Sequence, residues 1–194
     1  MKQDLDKKVQ SFLKSRKGTW QDLNVPESDG KLLYDLIIKN NYKSALEIGT
    51  STGHSAIWIA WALSKTGGKL ITIEIDKERY HEARTNFTAA RLADFIDARL
   101  ADAHELVKEL NGPFDFVFCD ADKDWYKNYF IEVYPELQAG GCFTAHNVSD
   151  SRWTWHREAG TVEFYKYVKN LPGMETTVDN HGNGMSISYK KSGN

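Results

Sequence analysis

Hydrophobic positions along the chain switch between two spacings, one helical and one extended. Leu5, Val9, Phe12 and Leu13 recur at helical spacing and predict a short amphipathic helix near Asp4 to Arg16, ended by Gly18. A turn containing Pro26 follows, and Ser28 or Asp29 is placed to cap a second helix carrying Leu32, Leu33, Leu36 and Ile37. These two helices precede the first strand and would cover one edge of a sheet or the mouth of a ligand site. At Ser44 the pattern changes. A short apolar run ends in Glu47, passes through a glycine turn from Gly49 to Gly53, and becomes a helix with Ala56, Ile57, Ile59, Ala60 and Leu63 on its apolar positions.

The same unit then repeats. Gly67-Gly68 breaks the chain before a second strand, Lys69 to Ile75, with Glu74 at its carboxyl end; Asp76 caps a helix carrying Tyr80, Ala83, Phe87 and Ala90. A third strand, Phe95 to Leu100, runs into Ala101-Asp102-Ala103 and a helix with Leu106, Val107 and Leu110. Gly112-Pro113 stops it. Phe114 to Cys119, FDFVFC, is a buried fourth strand, followed by Asp120-Ala121-Asp122-Lys123-Asp124 and a helix with Tyr126, Tyr129, Phe130 and Val133 that Pro135 kinks or restarts. Gly140-Gly141 introduces a fifth strand, Cys142 to Ala145, ended by His146-Asn147. Five β–α units in succession predict an α/β fold with a parallel sheet and right-handed crossovers. After a polar loop and a helix with Val162, Phe164, Tyr165, Val168 and Leu171, the segments Met174 to Val178 and Met185 to Lys190 flank a turn and predict an antiparallel hairpin.

Composition narrows the class. The 194 residues fit one domain, spanning 1–194, with 41% hydrophobic and 27% charged residues, ordinary for a soluble globular chain. A net charge of -2 leaves no basic face for nucleic acid or membrane headgroups. No apolar run approaches the roughly 20 residues of a bilayer span. The charged start MKQDLDKKVQ lacks a signal-peptide core, so the expected compartment is the cytoplasm. Cys119 and Cys142 sit inside strands and are expected as buried reduced thiols.

Candidate chemistry gathers at the carboxyl ends of the strands, where open α/β sheets bind ligands. The first turn reads E-x-G-x-x-x-G, without the third glycine of a pyrophosphate binder, and its Glu47 carboxylate suits a cationic or hydroxyl-bearing ligand. Glu74 lies about 20 residues past that turn, the offset of an acidic residue that binds ribose hydroxyls. Asp102 is an N-cap, an acceptor for an adenine amino group, or both.

With those residues placed, the sequence resembles the class I S-adenosylmethionine-dependent methyltransferases, and more narrowly the catechol and caffeoyl-CoA O-methyltransferase family with its bacterial relatives. The segments carrying the resemblance are ALEIGTSTGHSA, KLITIEIDKERYHEAR, ADAHEL, FDFVFCDADKDWYKNYF and AGGCFTAHNV, in the family's order. The resemblance implies a Rossmann-like, doubly wound seven-stranded sheet of order 3-2-1-4-5-7-6, last strand antiparallel. It implies S-adenosylmethionine as methyl donor, with Glu47, Gly49, Ser51, Gly53, His54 and Ser55 at the methionine end. Glu74 would bind the ribose, Asp102, Ala103 and His104 the adenine. Asp120 would face the cofactor and a divalent metal, and Lys123 would act as general base.

One position departs from the family. Asp-Asn usually ends the fifth strand, both as metal ligands, whereas here the pair is His146-Asn147. Imidazole suits softer metals than the oxygen sets that hold Mg²⁺. Either a different metal binds at Asp120, His146 and Asn147, or it binds weakly, or it is absent and His146 is the base. The expected acceptor is a small hydroxylated aromatic compound. In the loop from Ser149 to Gly160, Trp153 and Trp155 would stack on its ring, with Arg152, His156 or Arg157 meeting an acidic group; the same tryptophans would otherwise pack against a second copy in a homodimer. Three competing readings remain: a nicotinamide-dependent dehydrogenase, disfavoured by the missing glycine and by Glu47; a donor-binding module without catalysis; and a macromolecular acceptor.

Overall fold

Apolar strands that alternate with amphipathic helices must bury both sheet faces, and the computed structural model, which describes residues 2–20, 24–149 and 159–192, does so. The strands are β1 (Ser44–Ile48), β2 (Lys69–Glu74), β3 (Ile96–Leu100), β4 (Phe114–Cys119), β5 (Leu137–His146), β6 (Met174–Asp179) and β7 (Met185–Lys190). They form one sheet of order β3-β2-β1-β4-β5-β7-β6. β1 to β5 pair in parallel, and β7 runs antiparallel to both β5 and β6. The seven-stranded order implied by the resemblance is the order observed. Residues 150–158, with Arg152, Trp153, Trp155, His156 and Arg157, lie outside the described residues.

The helices are α1 (Lys2–Ser15), α2 (Glu27–Asn40), α3 (His54–Thr66), α4 (Lys77–Ala89), α5 (Ala103–Leu106), α6 (Tyr126–Val133) and α7 (Ala159–Lys169). All six residues of β4 are buried. Phe116 and Phe118 join the core formed with α1 to α4, while Val117 and Cys119 join the core formed with α5 to α7. Period-2 alternation thus serves two cores, and each fully buried Phe stabilises the fold by roughly 1.5–3 kcal/mol. The two cysteines are free and buried on opposite sides of the sheet, and burial pushes both thiols far up. Among the described residues no helix is long and apolar enough to cross a membrane.

Three sequence expectations need correction. Pro26 stands at the N-cap of α2, and neither Ser28 nor Asp29 caps it; Asp29 points inward instead. α5 stops at Leu106 after a single turn, because the chain must turn back at Gly112-Pro113 to enter β4. β5 begins at Leu137, five residues before Cys142, and Gly140-Gly141 lies within it where the register against β4 shifts between Phe114 and Phe116. A glycine pair reads as a breaker in sequence but here accommodates a bulge. Asp76, by contrast, caps α4 as expected, accepting from the N–H groups of Glu78 and Arg79 at 2.9 and 2.8 Å.

Candidate active site

The loops after β1, β2, β3, β4 and β5 leave a cleft of about 570 Å³ at the carboxyl edge of the sheet. It is lined by Gly49, Ser51, Glu74, Asp102, Ala103, His104, Asp120, Lys123, His146 and Asn147. Ten residues expected from sequence therefore meet in one place. The first turn is pinned from both sides: Gly49 and Thr50 donate their N–H groups to Ile73 O, and Asp120 donates its own to Ile48 O at 2.9 Å. Gly49 has φ +98, and a Cβ there would come within 2.5 Å of Asp120 O. Only glycine lets the loops after β1 and β4 approach this closely.

Glu74, 6% exposed, accepts the Ser51 N–H at 2.7 Å through Oε2 and the Asp76 N–H at 2.9 Å through Oε1. Each oxygen keeps a lone pair for a hydroxyl. Asp102 accepts from the His104 N–H at 2.9 Å and so caps α5. The His104 ring lies between Asp102 and Asp122, 2.8 and 3.3 Å from their carboxylates, and stacks on Tyr129. Ile75, 66% exposed, offers a bare apolar surface to the same cleft. That half has the form of a nucleoside seat: a hydroxyl acceptor beside an apolar shelf.

Four expected residues lie elsewhere. Glu47 is fully buried beneath the turn, accepting from Thr72 Oγ1 at 2.5 Å and lying beside the Ser55 hydroxyl. Burial pushes its carboxyl up to about 8, so near neutral pH it holds its proton and does not repel a phosphate as a surface carboxylate would. Its Oε1 has no partner among the described residues. Gly53 packs on Phe87 at the start of α3. His54 is a core histidine: its Nδ1 meets Val25 O at 2.8 Å, its Nε2 accepts from Trp58 Nε1 at 3.1 Å, and its ring stacks on Trp20. Burial holds it below the ordinary histidine range. Its side chain belongs to the N-terminal helices, not to the cleft.

The other half of the cleft is a charge cluster. Asp120 Oδ1 accepts from Lys123 Nζ at 2.5 Å, and Oδ2 accepts from His146 Nδ1 at 3.1 Å. The second ring nitrogen, His146 Nε2, lies 2.8 Å from Asp29 Oδ2. Asp29 reaches the sheet because α2 packs tightly on α3: a Cβ on Gly30 would meet Trp58 Cδ1 at 2.3 Å. Burial alone would lower His146, but hydrogen bonds to Asp120 and Asp29 outweigh it and push the imidazole up to about 9. For Asp120, burial would raise the carboxyl, and His146 with Lys123 hold it low. Sequence reasoning missed Asp29. Its signal was present, since Asp29 shares the inward stripe of α2 with Leu33 and Ile37, and a carboxylate on a buried stripe needs a buried partner.

A donor nucleoside and a metal fare differently here. The close glycine turn and the doubly anchored Glu74, both of which line the cleft, fit a nucleoside-bearing cofactor. Asp120, His146 and Asn147 do not fit a divalent cation. Both Asp120 oxygens already accept from cationic groups, and both His146 nitrogens face carboxylates. Among the described residues no group of three or more His, Cys, Asp or Glu side chains is arranged to hold a metal.

Residues 4–190 match the family profile described as O-methyltransferase. A catechol O-methyltransferase of Niastella koreensis is 38% identical over 130 residues, covering 65% of this chain and 58% of that protein. Caffeoyl-CoA O-methyltransferase 1 of Eucalyptus globulus is 34% identical over 64% of this chain and 52% of that protein. The matched stretch thus spans little more than half the length of these curated relatives. Among solved structures, an O-methyltransferase from Bacillus cereus in complex with SAH superposes with TM-score 0.80 at 26% identity, covering 95% of this chain and 91% of that one. An O-methyltransferase of tomaymycin synthesis from Streptomyces achromogenes, in complex with SAM, gives TM-score 0.78 at 27% identity, covering 97% and 89%. By profile, relatives and fold, the chain belongs to the O-methyltransferase family.

Proposed function

We propose that the chain is an S-adenosylmethionine-dependent O-methyltransferase acting on a small hydroxylated aromatic acceptor. The observation that carries this reading is one cleft holding both a carboxylate anchored on the glycine turn, Glu74, and a half-buried ion pair, Asp120–Lys123. When bound, S-adenosylmethionine supplies a methyl group on a positively charged sulfur, which an acceptor oxygen displaces in line, the hydroxyl proton passing to water. Glu74 holds the ribose hydroxyls, Ile75 and Ala103 seat the adenine, and Asp102 accepts from its amino group. A phenol has a pKa near 10 and is mostly protonated at neutral pH. Lys123, paired with Asp120, is a close cationic partner for the phenolate as its proton leaves.

The test is incubation of the full chain with methyl-labelled S-adenosylmethionine and a panel of catechols and hydroxycinnamoyl compounds. Labelled ether product, lost in Lys123→Ala, supports the reading. The saturation of Asp120 by Lys123 and His146 favours one second reading, a donor-binding protein without transfer. Donor binding with no labelled product from any acceptor would support that alternative. Binding of NADH in place of S-adenosylmethionine would sink both.

A further inference from the structure

We propose that the Asp29–His146 pair takes the place of the divalent cation implied by the family resemblance, so that methyl transfer by this chain needs no metal. The inference rests on the function proposed above and concerns the acceptor half of the same cleft.

The observation is a chain of alternating charges across three elements: Asp29 on α2, His146 at the end of β5, then Asp120 after β4 with Lys123 three residues on. Asp29 and His146 are 1% and 3% exposed. A carboxylate only accepts hydrogen bonds, so a ring with a carboxylate at each nitrogen donates from both. Such an imidazolium has no lone pair to offer a metal. Asp29 is itself held in place, since Oδ2 also accepts the Asn183 N–H at 3.2 Å from the turn between β6 and β7.

The cluster is electrically complete: two carboxylates, one ammonium, one imidazolium. A dication at Asp120 would add two positive charges to a neutral, largely buried cluster and would displace Lys123 or His146 from the carboxylate. Releasing His146 would also strand Asp29, whose only cationic partner among the described residues is that ring. A metal between Asp120 and a phenolate does two things, fixing the carboxylate and supplying positive charge. Here His146 does the first, anchored by Asp29, and Lys123 supplies charge at the cleft. Asp29 lies behind the ring and does not line the cleft. It is a positioning residue.

The test is a Mn²⁺ titration of the full chain followed by water-proton relaxation, with and without S-adenosylhomocysteine. The wild-type chain is expected to show no stoichiometric Mn²⁺ site at millimolar metal. The double variant His146→Asp with Asp29→Asn, which places oxygen donors at the strand end and removes the stranded carboxylate, is expected to bind Mn²⁺ at least about tenfold tighter. In parallel, proton and nitrogen NMR of the wild-type histidines is expected to show one ring with two slowly exchanging N–H protons; Asp29→Asn should release one and keep the other. Stoichiometric Mn²⁺ binding by the wild-type chain that His146→Ala abolishes would overturn the proposal, as would two freely exchanging His146 ring protons. If the double variant fails to fold, the wild-type titration and spectrum still decide. Failure of S-adenosylhomocysteine to bind would count against the function proposed above, while the metal-only arm would still test this inference.

Discussion

The two halves of the cleft are built by different routes. The donor half is local: Glu74 is fixed by the N–H groups of Ser51 and Asp76, both in loops next to paired strands β1 and β2. The acceptor half is distant, because Asp29 meets His146 across 117 residues, through α2 docked on α3. The first half is positioned by backbone, and the second by buried side chains holding one another's charge. Removing a residue from the donor half should therefore weaken binding, whereas removing one from the acceptor half should cost rate or stability.

The largest expected effect is on rate. Lys123→Ala should lower the turnover of a phenolic acceptor by about 10²–10³-fold, the loss seen when one electrostatic donor to a developing oxyanion is removed. Affinity for S-adenosylhomocysteine should stay nearly unchanged, as calorimetry would show. An equal loss of affinity would erase the distinction between the halves.

Next comes stability. Asp29→Ala leaves the His146 charge buried beside Asp120 alone, and breaking a buried pair costs about 3 kcal/mol or more. Urea unfolding would report it as a lower midpoint at unchanged slope. A change within about 0.5 kcal/mol, typical of a surface substitution, would mean that the pair does not anchor the acceptor half.

Glu74→Gln should weaken S-adenosylmethionine binding by roughly 10–100-fold, the equivalent of one charged hydrogen bond, with unfolding close to that of the wild type. A lost fold with retained affinity would place Glu74 among structural residues.

The smallest effect is a pH slope from Glu47. Its carboxyl lies at about 8 in the fold against an ordinary 4.5, so between those values the folded chain holds an extra proton. Stability from this group is fully present below the ordinary value and is lost as pH rises through the folded one, with a slope of up to about 1.4 kcal/mol per pH unit. Urea midpoints at about pH 6 and about pH 8 should diverge more for the wild type than for Glu47→Gln. Equal slopes would show that Glu47 is ionised under the turn.

What could be read from sequence follows the same division. Glycine at Gly49, the cap at Asp76 and the acidic strand end at Glu74 are decided by neighbours a few residues or one strand away, so local pattern finds them. His54 and Glu47 belong to the same motif, but their side-chain directions depend on Val25, Trp58 and Thr72, which no motif encodes. Asp29 reads locally as a helix cap because Asp near a helix start usually is one. Its place on the stripe of Leu33 and Ile37 becomes informative only once His146 is known to face it. The extension of β5 back to Leu137 was likewise hidden, since the glycines that permit the bulge also imitate a turn.

The most direct test of the central claim, that this cleft seats a methyl donor on Glu74, is calorimetric titration of the full chain with S-adenosylhomocysteine and with NADH. The expected result is one S-adenosylhomocysteine site per chain, weakened in Glu74→Gln, and no heat from NADH. Absence of S-adenosylhomocysteine binding, or a site indifferent to Glu74, would contradict it.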